Sequence, residues 1–123
     1  MTSLPERRRH PRFTAWLPLR LMVVGGIVQR DAPPLVTQNL SKSGLCFPSP
    51  RHIAPGQSIE VEVAFLGAGL DGNNINVSGA GHIVRAESAK RPGWYKLAAT
   101  FDEPPSGDEM EWQKIIAAFD KKS

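Results

Sequence analysis

At 123 residues, 41% of them hydrophobic and 22% charged, the chain is long enough to bury a single core without disulfides or metal. No apolar run approaches the ~20 residues that cross a bilayer, and the basic-then-apolar stretch from Arg7 to Val28 is interrupted by Pro18 and Arg20; this argues against a signal peptide and for a cytoplasmic protein without membrane insertion. The formal charge of +3 lies wholly in residues 1–12, where Arg7, Arg8, Arg9 and Arg12 stand against Glu6, while eleven basic and eleven acidic residues balance beyond them. That distribution suits a small anion better than a long duplex, which needs a basic face across the fold.

Dense charge, with Pro5 and Pro11, makes residues 1–13 an exposed, flexible basic arm rather than a core element. From Trp16 to Val28 β-favouring residues dominate, with Gly25-Gly26 as a bend. Asp31 to Pro34 then turns the chain into a short strand over residues 35–40. That strand ends in Asn39-Leu40-Ser41-Lys42-Ser43-Gly44, after which Leu45-Cys46-Phe47 restores the apolar run at once. Asn39 and Ser41 can close turns with their own backbone, or hold an amide and a hydroxyl outward. Gly44 permits close backbone approach. Taken alone, the cluster is a turn.

Residues 58–65 alternate, with Ile59, Val61, Val63 and Phe65 on one face and Glu60 and Glu62 on the other, which predicts a half-buried strand. Gly67 to Gly72 matches G-x-G-x-x-G, but residues 75–87 behind it alternate like a strand. A phosphate-binding loop of that type must open a helix, so this one is read as a hairpin loop. A further strand spans 94–102. After Pro104-Pro105, Ser106 and Glu109 fit a capping box, and Trp112, Ile115, Ile116 and Phe119 make one apolar stripe. They predict a helix over about 106–121. The fold expected is mostly β, a single domain over 14–123: an antiparallel six-stranded β-barrel, split or Greek-key-like, with a C-terminal α-helix.

His10, His52 and His82 are scattered without ligand spacing, so no metal is expected. No nucleophile–base pair or G-x-S-x-G elbow is legible, so neither an enzyme nor a cofactor is expected. Cys46, the only cysteine, sits between Leu45 and Phe47 as a small buried residue and fits a reducing compartment. The arm is what remains. Arg8 and Arg12 stand four apart, with Arg7 just before them. A guanidinium grips phosphate oxygens or a guanine O6/N7 edge in bidentate fashion and stacks on purine faces. From the arm alone, a solvated basic tail is the simpler reading.

Paired with Asn39–Gly44, however, the arm resembles the PilZ domain family, bacterial receptors for cyclic di-GMP. Arg8-Arg9-His10-Pro11-Arg12 matches the family's RxxxR, and Asn39-Leu40-Ser41-Lys42-Ser43-Gly44 matches its [D/N]xSxxG. The resemblance extends over nearly the whole chain. It implies that Arg8 and Arg12 anchor phosphates and guanine, with Asn39, Ser41 and Gly44 as the pocket wall. Arg7, before the first motif, is similar to members that take the ligand as an intercalated dimer. Arg85 is implied to stack on a base. The function implied is a cytoplasmic cyclic di-GMP receptor that orders its arm on binding and signals to a downstream protein. The alternatives are a small nucleic-acid-binding barrel and a PilZ-like interaction domain without ligand. Two departures stand out: Asn39 replaces the commoner Asp, and Ala98 stands where relatives often carry Gly.

Overall fold

A computed structural model of the chain describes residues 13–14, 16–41, 43–66, 72–103 and 106–107. They form strands β1 (Phe13–Thr14), β2 (Pro18–Val24), β3 (Ile27–Val28), β4 (Leu35–Val36), β5 (Asn39–Ser41), β6 (Gly44–Ser49), β7 (Ser58–Phe65), β8 (Ile75–Ser88), β9 (Tyr95–Phe101) and β10 (Ser106–Gly107). All pairings are antiparallel, and the order across the sheet is β1-β5-β6-β9-β8-β7-β2-β3, with β4 on β2 and β10 on β8.

The alternation of β7 sets the core. Ile59, Val61, Val63 and Phe65 are buried, while Glu60 is exposed. Their neighbours match face for face, with Val63 opposite both Leu19 and Val77, and Phe65 opposite Ile75. Across the fold, Leu40, Leu45, Phe47, Leu97 and Ile83 complete the same cluster. Each such side chain stabilises the fold by about 1.5–3 kcal/mol through removal of apolar surface from water. The β2–β3 connection is a two-residue turn in which Gly25 and Gly26 both hold positive φ, the geometry that matches the twist of a tight hairpin. β7 and β8 are antiparallel neighbours, the pairing that the hairpin reading requires, while residues 67–71 of their connection lie outside the described residues.

Two sequence expectations need correction. The sheet is not a closed barrel. One pairing path ends at β1 and the other at β3, because the segment from Leu35 to Ser41 changes partners midway. β4 pairs with β2, but β5 pairs with β6 and β1. Between them the Thr37 and Leu17 backbones bond at 2.8 Å, while Gln38 N–H already donates to Cys46 O. The ladder is therefore interrupted where closure was expected.

The second correction concerns the terminal helix. Ser106 and Gly107 lie in β10, opposite Ser78 and Val77 of β8, so a helix cannot include them. Ser106 suits a cap, but a capping residue itself has extended backbone, and the edge of β8 past its pairing with β9 offers unpaired ladder groups. The rest of the predicted helix, and the arm over 1–12, lie outside the described residues. No helix occurs among the described residues, hence none there long and apolar enough to cross a membrane.

Candidate functional site

The hairpin β5–β6 brings Asn39, Ser41 and Gly44 together. Ser41 is opposite Gly44, and Asn39 is opposite Cys46. Ser41 is buried, and its Oγ accepts the Ser43 N–H at 3.3 Å while lying 3.4 Å from Ser43 Oγ. The hydroxyl thus braces the turn in the manner of Ser/Thr turns. Gly44 answers a packing demand, since a Cβ there would collide with the Ala99 carbonyl oxygen of β9. Both residues serve the turn and the sheet, whatever else they contact. We expect Ser41→Ala to lower unfolding stability by about 1 kcal/mol, the worth of a typical intramolecular hydrogen bond. Denaturant titration reads this directly, and an unchanged midpoint would show that the hydroxyl does not brace the turn.

Asn39 behaves differently. Its Oδ1 is buried, as is Oε1 of the preceding Gln38, and neither has a hydrogen-bond partner among the described residues. An acceptor left so costs about 1–3 kcal/mol relative to one that is matched. Sequence reading passed over Gln38. Its only signal is a position beside the motif, and its placement depends on how β5 meets β6.

The chain joins the sheet at this same corner. β1 pairs with β5, placing Phe13 opposite Leu40 and Thr14 opposite Asn39. Arg7, Arg8 and Arg12 lie outside the described residues. In sequence, the RxxxR motif ends at the residue before Phe13.

Arg85 shares a row with the motif without adjoining it. It is opposite Ala98, Ala98 is opposite Cys46, and Cys46 is opposite Asn39. Residues directly opposite point to one face, so the row Thr14–Asn39–Cys46–Ala98–Arg85 lies on the face away from Leu40, Leu45 and Ala99. Three strand spacings put Arg85 about 14 Å from Asn39. Its Nε makes a 3.1 Å ion pair with exposed Glu87. Arg85 reaches this row because the β8–β9 register shifts between Ile83 and Arg85, and such a bulge re-aims the residue after it. Between the two ends the row is floored by Cys46 and Ala98, both small and buried. In the adjacent row His82 is opposite Thr100, and its Nδ1 lies 2.8 Å from Asp102 Oδ1.

Among the described residues no three His, Cys, Asp or Glu side chains gather as a metal site. A cleft of about 250 Å³ lies at the far end of β6, against Leu21, Gln29, Asp31, Leu35, Ser49 and Arg51. Asp31 on its wall disfavours an anion, and Arg51 is already bonded to Gln29 Oε1 at 2.9 Å. The cleft is a poor seat for phosphates, and the corner is the better candidate.

Comparison with known proteins agrees with the fold. Over residues 6–118 the sequence matches the PilZ domain family. No curated protein matches it. Among solved structures it is similar to the Bacillus subtilis inhibitor of motility, MotI/DgrA, at a TM-score of 0.68 and 13% identity. The match covers 95% of this chain but 51% of that one, so the chain spans about half the length of its structural relative. With the family match running through nearly the whole chain and both motifs within it, the protein belongs to the PilZ domain family.

Proposed function

We propose that this protein is a non-catalytic receptor module for cyclic di-GMP, in which the arm closes over the ligand at the β1–β5–β6 corner. Arg8 and Arg12 anchor phosphates and guanine, Asn39, Ser41 and Gly44 form the wall, Arg7 favours an intercalated ligand dimer, and Arg85 meets a base at the outer end of the row. The observation that carries this reading is the pairing of β1 with β5. It ties the residue after RxxxR to the strand that bears the second motif, so arm and corner are neighbours by covalent connection.

The energies suffice. Charge-assisted hydrogen bonds contribute about 1.5–3 kcal/mol each, and a stacked base about 1–3 kcal/mol. Two or three arginine contacts and one stack offset the cost of association and leave an affinity near micromolar, about −8 kcal/mol. Binding orders the arm and changes the surface offered to a downstream protein. A partner surface is available at the opposite end of β6 and β9. There His52 packs edge-on to Tyr95 at 5.1 Å, and Arg91 lies 4.3 Å over the Trp94 ring. Aromatic and arginine side chains of this kind dominate protein–protein hot spots.

A ligand-free interaction domain is the second reading, favoured by the engagement of Ser41 and Gly44 in the hairpin itself. Calorimetric titration separates the two. Saturable, micromolar binding of cyclic di-GMP that linear RNA does not compete away is expected. Absence of heat at millimolar ligand would leave the interaction domain.

A further inference from the structure

Gln38 and Asn39 form a pair that the motif alone does not explain. Gln38 N–H donates to Cys46 O at 2.8 Å, while Asn39 is the residue in register with Cys46. Two successive residues thus face one on β6, the count of a β-bulge, a device that re-aims side chains and concentrates beside binding sites. The preceding residue is locked. Thr37 is fully buried, and its Oγ1 accepts the Leu17 N–H at 3.0 Å. On this fixed backbone the Gln38 Oε1 and Asn39 Oδ1 atoms are both buried with no partner among the described residues. Native structures retain few such atoms, and each calls for a reason. Two neighbours with the same polarity, acceptor and acceptor, call for a ligand edge made of donors.

We propose that Gln38 is a second base-reading residue of the corner, its Oε1 accepting the 2-amino group of one guanine while Asn39 Oδ1 accepts the N1–H. The inference rests on the cyclic di-GMP reading and adds a specificity determinant to it. Guanine presents two adjacent donors on that edge. Hypoxanthine keeps N1–H but lacks the amino group, and adenine offers an acceptor at N1. The bulge therefore sets the corner to prefer guanine over both.

The test uses the full chain, the variant Gln38→Met, which keeps length while removing the acceptor, and two ligands, cyclic di-GMP and its inosine counterpart lacking both 2-amino groups. Wild type is expected to bind the guanine ligand about fivefold to tenfold more tightly than the inosine ligand, the worth of one hydrogen bond. In Gln38→Met guanine affinity falls by that factor, inosine affinity holds, and the preference disappears. The melting midpoint of the free variant stays level or rises, because an unmatched buried acceptor has gone. A variant with wild-type affinity and preference overturns the inference while leaving the receptor reading intact. Equal loss for both ligands, or a lowered midpoint in the free protein, makes Gln38 a structural residue and also overturns it. If wild type binds neither ligand, the receptor reading fails and this inference with it.

Discussion

Arg8→Ala and Arg12→Ala are each expected to weaken cyclic di-GMP binding by about 10- to 100-fold, the loss of one charge-assisted contact, with the unfolding midpoint unchanged. Both residues precede β1, and the core among the described residues is drawn chiefly from β2 and β4–β9. The expected loss is therefore one of binding alone. Lysine is an informative substitute. It keeps the charge but lacks the planar fork that bonds phosphate in bidentate fashion and stacks on a base. Arg12→Lys should fall between wild type and alanine, and a lysine variant that binds fully would reduce the arm to generic attraction. Such attraction is screened over about 8 Å at physiological ionic strength, so titrations at two salt concentrations separate the contributions. Wild-type affinity in both alanine variants, measured by calorimetry, would remove these residues from the site.

Gly44→Ala is expected to destabilise the fold by about 1–3 kcal/mol, the usual range for forcing extra volume into a packed region, and to lower the melting midpoint by roughly 4–12 °C. Out of a total stability of about 5–15 kcal/mol this is a large fraction. The atom in the way is the Ala99 carbonyl oxygen, a backbone group that cannot rotate aside. On the other flank of β9, a Cβ at Gly81 would collide with the Thr100 carbonyl oxygen in the same fashion. Strand β9 is therefore held between two glycines at adjacent carbonyls, and Gly81→Ala should destabilise comparably. The pair also tests the binding role. At a temperature where both variants remain folded, Gly44→Ala should bind ligand more weakly than Gly81→Ala, because only Gly44 borders the corner. Equal binding would assign Gly44 to packing alone, and an unaltered midpoint in Gly44→Ala would contradict the close approach of β6 and β9.

What the sequence disclosed follows from the range of the forces involved. β7 was legible because Ile59, Val61, Val63 and Phe65 obey a strict period of two, which burial on one face enforces. The β5–β6 corner was legible because turn chemistry is local, so the small polar residues announced both the hairpin and the motif. Features decided by distant partners were not legible. Arg85 entered only through the family resemblance, since it turns toward the row of Asn39 through a register shift against β9, and Gln38 stands beside Asn39 only through the way both meet Cys46. The capping pattern at Ser106 and Glu109 is a local signal, and the free edge of β8 overrode it at Ser106 and Gly107. Barrel closure would need one segment to pair with β2 and β6 side by side, and the segment from Leu35 to Ser41 pairs with them in succession.

The central claim is that cyclic di-GMP seats where the arm meets the β5–β6 hairpin. Backbone amide NMR during titration tests it most directly. The account predicts saturable shifts of Thr14, Gln38, Asn39, Ser41 and Gly44, joined by arm residues, with Gln29, Asp31 and Arg51 in the far cleft unmoved. Shifts gathered at Gln29, Asp31 and Arg51, with the hairpin silent, would contradict it.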